Sequence, residues 1–237
     1  MAITQNDTGG VLVLWDVDHT LIETRGVGRA SFATAFEQVT GHRLARMPHI
    51  TGRTEPDIYA ATVALHGIDH APPFAVFAEA LAAAYTERRR QLQEQGRVMP
   101  GAEKALGHLS ELRDIRQSVL TGNTRAVTRI KLEAFGLAKY LDLDCGAYGD
   151  DDGHRPSLVP IAQTRASTHS GEFDRANTVL IGDSPADIQT AHEGGACVIA
   201  VAAGGTTAAE LSAADVVLAD LTDTVAIESA IRMLVRT

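Results

Sequence analysis

One stretch near the start of the chain constrains the fold most: residues 11–20, with the sequence VLVLWDVDHT. Its apolar half is short, continuous and rich in β-branched residues, which predicts a strand buried on both faces in the middle of a parallel sheet. Asp16 and Asp18 then bring charge to the carboxyl end of this strand, the edge where open α/β sheets bind ligands. A turn or helix cap made of Asp and Thr is the alternative that this stretch alone leaves open.

The two aspartates favour a bound cation. Residues i and i+2 of a strand point to the same face, so Asp16 and Asp18 can reach one ligand. Two carboxylates at such an edge repel each other unless they share a cation or a proton. A hard divalent cation with oxygen ligands, such as Mg²⁺, would hold them.

Composition limits the classes of partner and location. The 237 residues are 45% hydrophobic, and the formal net charge is −9 with scattered Arg and Lys, which argues against nucleic acid or an anionic membrane as a partner. No apolar run approaches the ~20 residues that span a bilayer. The first ten residues lack the features of a secretory signal, and Cys145 and Cys197 lack metal-ligand spacing and are interpreted as reduced thiols. We expect a cytoplasmic protein that is a monomer or a weak homodimer.

The segment after the first strand is predicted to be an insertion. Residues 22–96 show helical patterns and no strand, with helices predicted over 26–40, 57–66 and 74–95. A βαβ crossover usually needs one helix rather than three or four. We therefore predict a helical cap over residues 22–96, with residues 1–21 and 97–237 forming the core domain.

An α/β alternation fills the rest of the chain. Strands are predicted over 115–120, 141–148, 178–181, 197–201 and 216–218, and helices over 101–112, 124–135, 157–169, 188–193 and 224–235. The fold class is therefore predicted as α/β, with a doubly wound parallel sheet of Rossmann type and the cap inserted after its first strand.

Polar groups follow three of the buried strands, each where the strand gives way to a loop or helix. They are Asp16 to Thr20, then Thr121-Gly122-Asn123, then Gly182 to Asp187, which reads GDSPAD. This pattern resembles the haloacid dehalogenase superfamily, in its phosphoglycolate-phosphatase-like branch. Its first motif, DxDx[TV], is matched by Asp16, Asp18 and Thr20; its second by Thr121; its fourth, GDSxxD, by Gly182, Asp183, Ser184 and Asp187. The helical insertion resembles the small C1-type cap of that branch.

The third motif departs from the family, which usually supplies a lysine followed by proline. Here the sequence is Gly153-His154-Arg155-Pro156, so we expect Arg155 to supply the cation, with pairing to surface residues 150–152 as the alternative. Of the chain's three lysines, Lys131 lies on the helix after Thr121, where we expect it to face solvent. His19 stands where the family often has glycine, and either lines the cleft or fills space.

The resemblance implies phosphoryl transfer through an aspartyl-phosphate on a small-molecule phosphate ester. Asp16 would be the nucleophile and Asp18 the acid and then the base. Mg²⁺ would be held by Asp16, the backbone carbonyl of Asp18, and Asp183, with Asp187 behind them. Thr121, Gly122 and Asn123 would bind the phosphate, and Arg155 would add positive charge.

Other activities of the superfamily fit less well. Asp18 argues against dehalogenation, because a leaving halide needs no proton, and the cap has no lysine for the Schiff base of a phosphonatase. A sugar phosphomutase is the nearest alternative, and a scaffold kept for binding is a more distant one. Arg53, in the polar turn Thr51-Gly52-Arg53-Thr54 of the cap, is a candidate for selecting the substrate, and a surface-loop role is equally open.

Overall fold

A five-stranded parallel sheet organises the structure, a computed structural model that describes residues 10–203 and 205–235, without the side chains of residues 168–170. The strands of this sheet are β1 (Val11–Trp15), β4 (Ile115–Val119), β5 (Thr178–Gly182), β6 (Cys197–Val201) and β7 (Val216–Leu218). They are parallel in the order β4-β1-β5-β6-β7. The predicted α/β class with a parallel sheet is confirmed.

Strand β1 lies inside the sheet and is buried along its whole length. Val11, Val13 and Trp15 enter one apolar cluster, and Leu12 and Leu14 enter the cluster on the opposite face. A strand covered on both faces has no polar side to alternate with, which explains the continuous apolar run in its sequence.

Helices cover both faces of the sheet and form the segment after β1. They are α1 (Val27–Thr40), α2 (Glu55–Leu65), α3 (Phe74–Glu87), α4 (Arg89–Gln95), α5 (Ala102–Ser110), α6 (Arg125–Ala134), α7 (Leu158–Ser170), α8 (Pro185–Gly194) and α9 (Thr224–Leu234), with 3-10 turns at Ala138–Tyr140 and Arg155–Ser157. The long helix predicted over residues 74–95 is broken at Arg88. The Arg88 side chain donates to the Ala84 carbonyl (3.2 Å) and to Thr34 Oγ1 of α1 (2.6 Å), and a side chain on a helix carbonyl is a recognised cause of such breaks.

The strand predicted over residues 141–148 is wrong. That segment touches β4 at separate points: the Asp142 amide donates to the Gln117 carbonyl (2.8 Å), and Ala147 forms an isolated bridge with Leu120. Between them, Asp142 Oδ1 accepts from the Asp144 amide (3.2 Å). This local turn takes the place of a continuous ladder of hydrogen bonds, because short acidic side chains often bond to nearby backbone amides.

The prediction that residues 22–96 contain no strand is also wrong at one end. Residues 22–23 form β2 (Ile22–Glu23), which pairs antiparallel with β3 (Arg97–Val98). Arg97 Nε donates to Glu23 Oε2 across the pair (2.6 Å). The chain therefore leaves and re-enters the sheet domain through a short two-stranded ribbon.

The helical segment α1–α4 packs around aromatic rings. Phe77 lies at the centre, with ring centroids 4.4 Å from Tyr59 and 4.8 Å from Phe32. Val127 and Ala134 of α6 join the same apolar cluster, so this segment sits on the helix that follows β4. The cap boundaries at residues 22 and 96 stay a prediction.

The structure bears on the predictions about membrane spans and cysteines. Within the described residues, no helix has the length and apolarity that crossing a membrane requires. Cys145 and Cys197 are free, as predicted. The absence of a secretory signal concerns mainly residues 1–9, which lie outside the described residues.

Candidate active site

The three predicted strand ends meet at one edge of the sheet. Asp16 follows β1, Thr121 follows β4 and Asp183 follows β5, and all three are buried. The arrangement comes from the register: Trp15, the last residue of β1, lies between Val119 of β4 and Ile181 of β5. The carboxyl ends of three adjacent strands thus bring together side chains that are far apart in sequence.

Three carboxylates form a cluster on one side of this edge. Oxygens of Asp16, Asp183 and Asp187 all lie within 4.8 Å of one another. Thr20 Oγ1 donates to Asp183 Oδ1 (3.1 Å). Asp187 Oδ2 accepts from the amide of Asp183 (3.1 Å) and from the amide and hydroxyl of Ser184 (3.0 and 2.7 Å), which makes Asp187 part of the capping box that starts α8.

Arg155 reaches this cluster from the 3-10 turn before α7. Its Nη2 donates to Asp16 Oδ1 (2.7 Å) and to Asp187 Oδ1 (2.6 Å). Arg155 is buried, and its Nε has no hydrogen-bond partner among residues 10–203 and 205–235. The alternative that Arg155 pairs with residues 150–152 is therefore not what the structure shows.

Two carboxyl groups of this cluster, Asp16 and Asp183, have raised pKa values. Burial, followed by the negative charge of Asp187, raises the pKa of Asp16 well above its usual range, although the Arg155 guanidinium opposes that rise. Burial and Asp187 also raise the pKa of Asp183 to about 6. One guanidinium therefore does not compensate three buried carboxylates.

The sequence prediction for Lys131 is wrong, because this residue points into the site. Its Nζ donates to both oxygens of Asp18 (2.9 and 2.8 Å) and to Asn123 Oδ1 (2.8 Å). Only 3% of its side chain is exposed. Val127 and Thr128 are buried on the same helix, α6, one turn earlier. Lys131 follows these two residues by four and three positions, which puts all three on one face of a helix. This spacing is the sequence signal that places Lys131 on the buried face.

A chain of hydrogen bonds continues from Lys131 to the predicted phosphate-binding loop. Asn123 Nδ2 donates to Asp18 Oδ2 (2.7 Å) and to Thr121 Oγ1 (2.8 Å). Burial acts to raise the pKa of Asp18, but the Lys131 ammonium and the Asn123 amide outweigh it and lower that pKa below its ordinary value. Asp16 and Asp18, two residues apart, are thus shifted in opposite directions.

The helical segment contributes two buried residues that sequence reasoning missed. Glu55, at the start of α2, accepts from the Thr124 amide through Oε2 (2.7 Å), and its own amide donates to the Gly122 carbonyl (2.8 Å). Burial raises the pKa of Glu55 to about 7 despite the nearby Lys131. Tyr85 of α3 places its ring centroid 5.3 Å from Lys131 Nζ. We find no signal in the sequence that would have placed either residue here.

Arg53 lies at the rim of the site and is held within its own loop. Its Nε donates to Asp57 Oδ2 (2.5 Å) and its Nη1 to the His49 carbonyl (3.2 Å). Arg53 and Arg155 line a shared cleft of ≈ 220 Å³, which the carboxylates of Asp16 and Asp18 do not line. His19, at φ 66°, is exposed beside Asp18.

The loop that carries Arg53 rests on the loop after β4. A Cβ atom at position 122 would lie 2.1 Å from the Arg53 carbonyl oxygen, so only glycine fits there. Thr54 Oγ1 also donates to the Gly153 carbonyl (3.2 Å). The described arrangement therefore has residues 51–55 closed over the site.

Comparisons with known proteins agree on one family. The family model described as haloacid dehalogenase-like hydrolase matches residues 13–192. A Dickeya dadantii protein named "Probable phosphatase IndB" is 28% identical over 216 residues, which is 86% of each chain. A Caldanaerobacter subterraneus protein named "Putative pyrophosphatase PpaX" is 26% identical over 190 residues, 80% of each chain.

A solved structure supports the fold. The crystal structure of CbbY from Rhodobacter sphaeroides in complex with phosphate superposes with a TM-score of 0.69 at 20% identity, over 90% of this chain and 96% of that one. Another crystal structure, of a CbbY mutant, contains xylulose-(1,5)bisphosphate. At this identity the likeness concerns the fold alone.

Proposed function

This chain belongs to the haloacid dehalogenase-like hydrolase family, and from that premise we propose that it is a Mg²⁺-dependent phosphatase of small-molecule phosphate monoesters. The observation that carries the proposal is the pair Asp16 and Asp18, each bound to a different buried cation and shifted in pKa in opposite directions. Two carboxylates of one site that lie in different environments can act as the nucleophile and as the acid–base group. The phosphatase names of the relatives support the same activity.

The carboxylate cluster fits a divalent metal ion. Asp16, Asp183 and Asp187 offer oxygens within 4.8 Å of one another, the donor type that Mg²⁺ prefers. Both oxygens of Asp187 already accept hydrogen bonds, so we assign the metal to Asp16, Asp183 and the backbone carbonyl of Asp18, with Asp187 holding the loop behind them. When bound, Mg²⁺ would neutralise the incoming phosphate and orient it for attack.

The proposed reaction has two steps. In the first, an Asp16 oxygen attacks phosphorus, the bond from phosphorus to the leaving oxygen breaks, and that oxygen takes a proton from Asp18. In the second, Asp18 removes a proton from water as the water oxygen attacks phosphorus. The aspartyl-phosphate bond then breaks, which releases inorganic phosphate and restores Asp16.

The state of Asp18 sets the order of proton movements. Because Lys131 and Asn123 lower its pKa, Asp18 is a carboxylate before substrate arrives. A phosphate brings negative charge close to Asp18 and favours its protonated form, so Asp18 takes a proton from solvent as substrate binds and gives it to the leaving oxygen in the first step. After the leaving group departs, the carboxylate is again the form that Lys131 stabilises, and this is the base of the second step.

Donors for the phosphate come from the loop after β4 and from Arg155. The Thr121 hydroxyl accepts from Asn123 and keeps its own proton for a phosphate oxygen. The Gly122 amide adds a backbone donor. Arg155 has its unpartnered Nε in addition to the Nη2 bonds that it makes to carboxylates. Preorganised donors of this kind stabilise charge as it develops on a transferring phosphoryl group.

We assign substrate selection to the helical cap, residues 22–96, with Arg53 as the residue that contacts a second polar group of the substrate. This rests on the position of Arg53 in the cleft beside Arg155. To serve this role, Arg53 must exchange its contact with Asp57 for one with the ligand.

The proposal also includes a cytoplasmic location and a monomeric or weakly dimeric state.

The experiment is a panel of phosphate monoesters and pyrophosphate assayed with purified protein. Inorganic phosphate should be released from an aryl phosphate and more rapidly from at least one sugar or small-acid phosphate, and excess chelator should stop turnover. Full activity in chelator would contradict the metal assignment. An isomerised sugar phosphate formed without inorganic phosphate would indicate a phosphomutase instead.

A further inference from the structure

Lys131 transfers no proton and is assigned no contact with substrate in the steps above, yet its buried ammonium is paired with the Asp18 carboxylate. We propose that Lys131 is a positioning residue: it holds the Asp18 carboxylate in the orientation that proton transfer requires, and the helical segment completes the surroundings that hold Lys131. The inference rests on the proposed phosphatase activity and names a residue that acts through Asp18.

The contacts of Lys131 define the orientation of Asp18. Two of the three ammonium bonds go to the two oxygens of Asp18 and the third goes to Asn123 Oδ1, at 2.8–2.9 Å. An ammonium has three donors, so these bonds leave none for a substrate. In this arrangement Lys131 therefore has no donor left for a phosphate, and it acts on the reaction through Asp18 and, by its third bond, through Asn123.

The difference in exposure shows which partner is fixed. The Lys131 side chain is 3% exposed and the Asp18 side chain 35%. A buried ammonium is costly unless it is paired, so Lys131 has no favourable alternative position. Asp18, whose side chain is partly exposed, does have one in water. The fixed ammonium thus restrains the mobile carboxylate.

The helical segment supplies two further neighbours of Lys131, Tyr85 and Glu55. Tyr85 of α3 places its ring 5.3 Å from Nζ, a cation–π distance. Glu55 of α2 lies near the ammonium, and it is tied to the loop after β4 through the Thr124 amide (2.7 Å). Because both residues belong to the predicted cap, seating this segment on α6 also completes the environment of Lys131.

The test compares Lys131→Met with wild type across phosphate esters of graded leaving-group quality. For poor leaving groups, kcat/KM should fall ~100-fold, as expected when proton transfer is lost. For the best aryl leaving group it should fall less than about tenfold. The variant should also release one equivalent of aryl alcohol per enzyme and then stall as phosphoenzyme, because the second step needs Asp18 as a base. Lys139→Met, at a lysine with 60% of its side chain exposed, is the matched control and should behave as wild type.

A thermal-unfolding cycle tests the contact without any assay of activity. Lys131→Met and Asp18→Asn should each lower Tm, and the double variant should melt on the order of 5 °C above the sum of the single shifts, as for other broken buried ion pairs. If wild type hydrolyses no phosphate ester, the proposed function fails, while this cycle still decides whether Lys131 holds Asp18.

Three results would overturn the proposal. They are equal losses of kcat/KM across all leaving groups, turnover of Lys131→Met within threefold of wild type on every ester, and additive Tm shifts in the cycle. If Lys131→Met does not fold, Lys131→Gln keeps one donor toward Asp18 and takes its place in the same series. The loss of kcat/KM in Lys131→Gln should again be larger for poor leaving groups than for good ones, but by a smaller factor. A loss that is equal for all leaving groups would contradict the proposal.

Discussion

The two sides of the candidate site handle buried charge differently. In the Arg155 half, three carboxylates (Asp16, Asp183 and Asp187) surround one guanidinium. In the Lys131 half, both oxygens of Asp18 accept from one ammonium, and Oδ2 also accepts from the Asn123 amide. Burial acts on both halves to raise carboxyl pKa values, yet the pKa of Asp16 rises while that of Asp18 falls. Burial acts to raise both pKa values, and only in the Lys131 half do the neighbouring donors, Lys131 and Asn123, outweigh it.

The comparison also bears on the metal site that we propose at Asp16 and Asp183. With all three carboxylates ionised, the Arg155 half would carry an excess of two negative charges, which is what one divalent cation supplies. The Lys131 half is already close to neutral and has no need of one. In the proposed mechanism, the nucleophile Asp16 and the metal ligand Asp183 therefore belong to the Arg155 half, and the proton-transferring Asp18 belongs to the Lys131 half.

The largest expected effect comes from removing one carboxylate from each half. Asp16→Asn should reduce turnover at least ~10⁴-fold on every ester, because no aspartyl-phosphate forms. Asp18→Asn should cost ~10²- to 10⁴-fold in kcat/KM with poor leaving groups and much less with good ones. The measurements are steady-state kinetics and the intact mass of the enzyme after mixing with substrate, which should show an added phosphoryl group in Asp18→Asn and none in Asp16→Asn. A phosphoenzyme in Asp16→Asn would place the nucleophile elsewhere.

The next effect tests whether Arg155 is the electrostatic centre of its half. Arg155→Ala should lower turnover at least ~100-fold, comparable to removing one preorganised donor. Arg155→Lys should restore much of this, because an ammonium can also bridge Asp16 and Asp187. Arg90→Ala, at an arginine whose side chain is 90% exposed, serves as the control. Turnover of Arg155→Ala within about threefold of wild type, roughly 0.7 kcal/mol in barrier, would remove Arg155 from the mechanism.

The smallest effect is a pH dependence of stability that belongs to Glu55 in the Lys131 half. Its pKa of about 7 lies above the ordinary value of 4.5, so between these pH values the folded protein binds a proton that the unfolded chain releases. The free energy of unfolding therefore falls as pH rises through this window, by about 3 kcal/mol. Glu55→Gln keeps an acceptor for Thr124 and should lose this dependence, gaining stability relative to wild type from pH 5 to pH 8.

Urea unfolding of metal-free protein at the two pH values measures this difference. Glu79→Gln, at a glutamate of α3 that is not buried, should follow the wild-type curve at both. A Glu55→Gln curve parallel to wild type across the range would mean that Glu55 is ionised in the folded protein and that Lys131 compensates it.

The sequence predicted the parts of the site that are fixed by strand ends. Asp16, Thr121 and Asp183 each follow a buried apolar run, and parallel strands must bring such ends together. Arg155 was placed correctly near Asp16 by its position relative to the family's motifs, although its role remains a proposal. The same apolar runs predict the five strands of the sheet. Residues 141–148 are the exception: their mixed polarity is typical of an edge strand, but they form no continuous strand.

The other half of the site depends on packing between segments, which no local pattern encodes. Glu55 meets Thr124 only because the helical segment folds back onto α6. The Lys131 prediction failed because lysine is usually exposed, and that expectation was given more weight than the spacing from Val127 and Thr128. An ion pair formed with Asp18, 113 positions away in the chain, supplies the compensation that makes burial of this lysine possible.

The close approach at Gly122 separates two tasks that one loop performs. Residues 53 and 55 hold the loop 51–55 against the loop after β4 through main-chain atoms. The Arg53 carbonyl lies over Gly122, and the Glu55 amide donates to the Gly122 carbonyl. The Arg53 side chain points elsewhere, toward Asp57 and the cleft. The contacts at Gly122 use main-chain atoms, so a substitution of the Arg53 side chain would remove its bonds to Asp57 and His49 and leave the contacts at Gly122 in place.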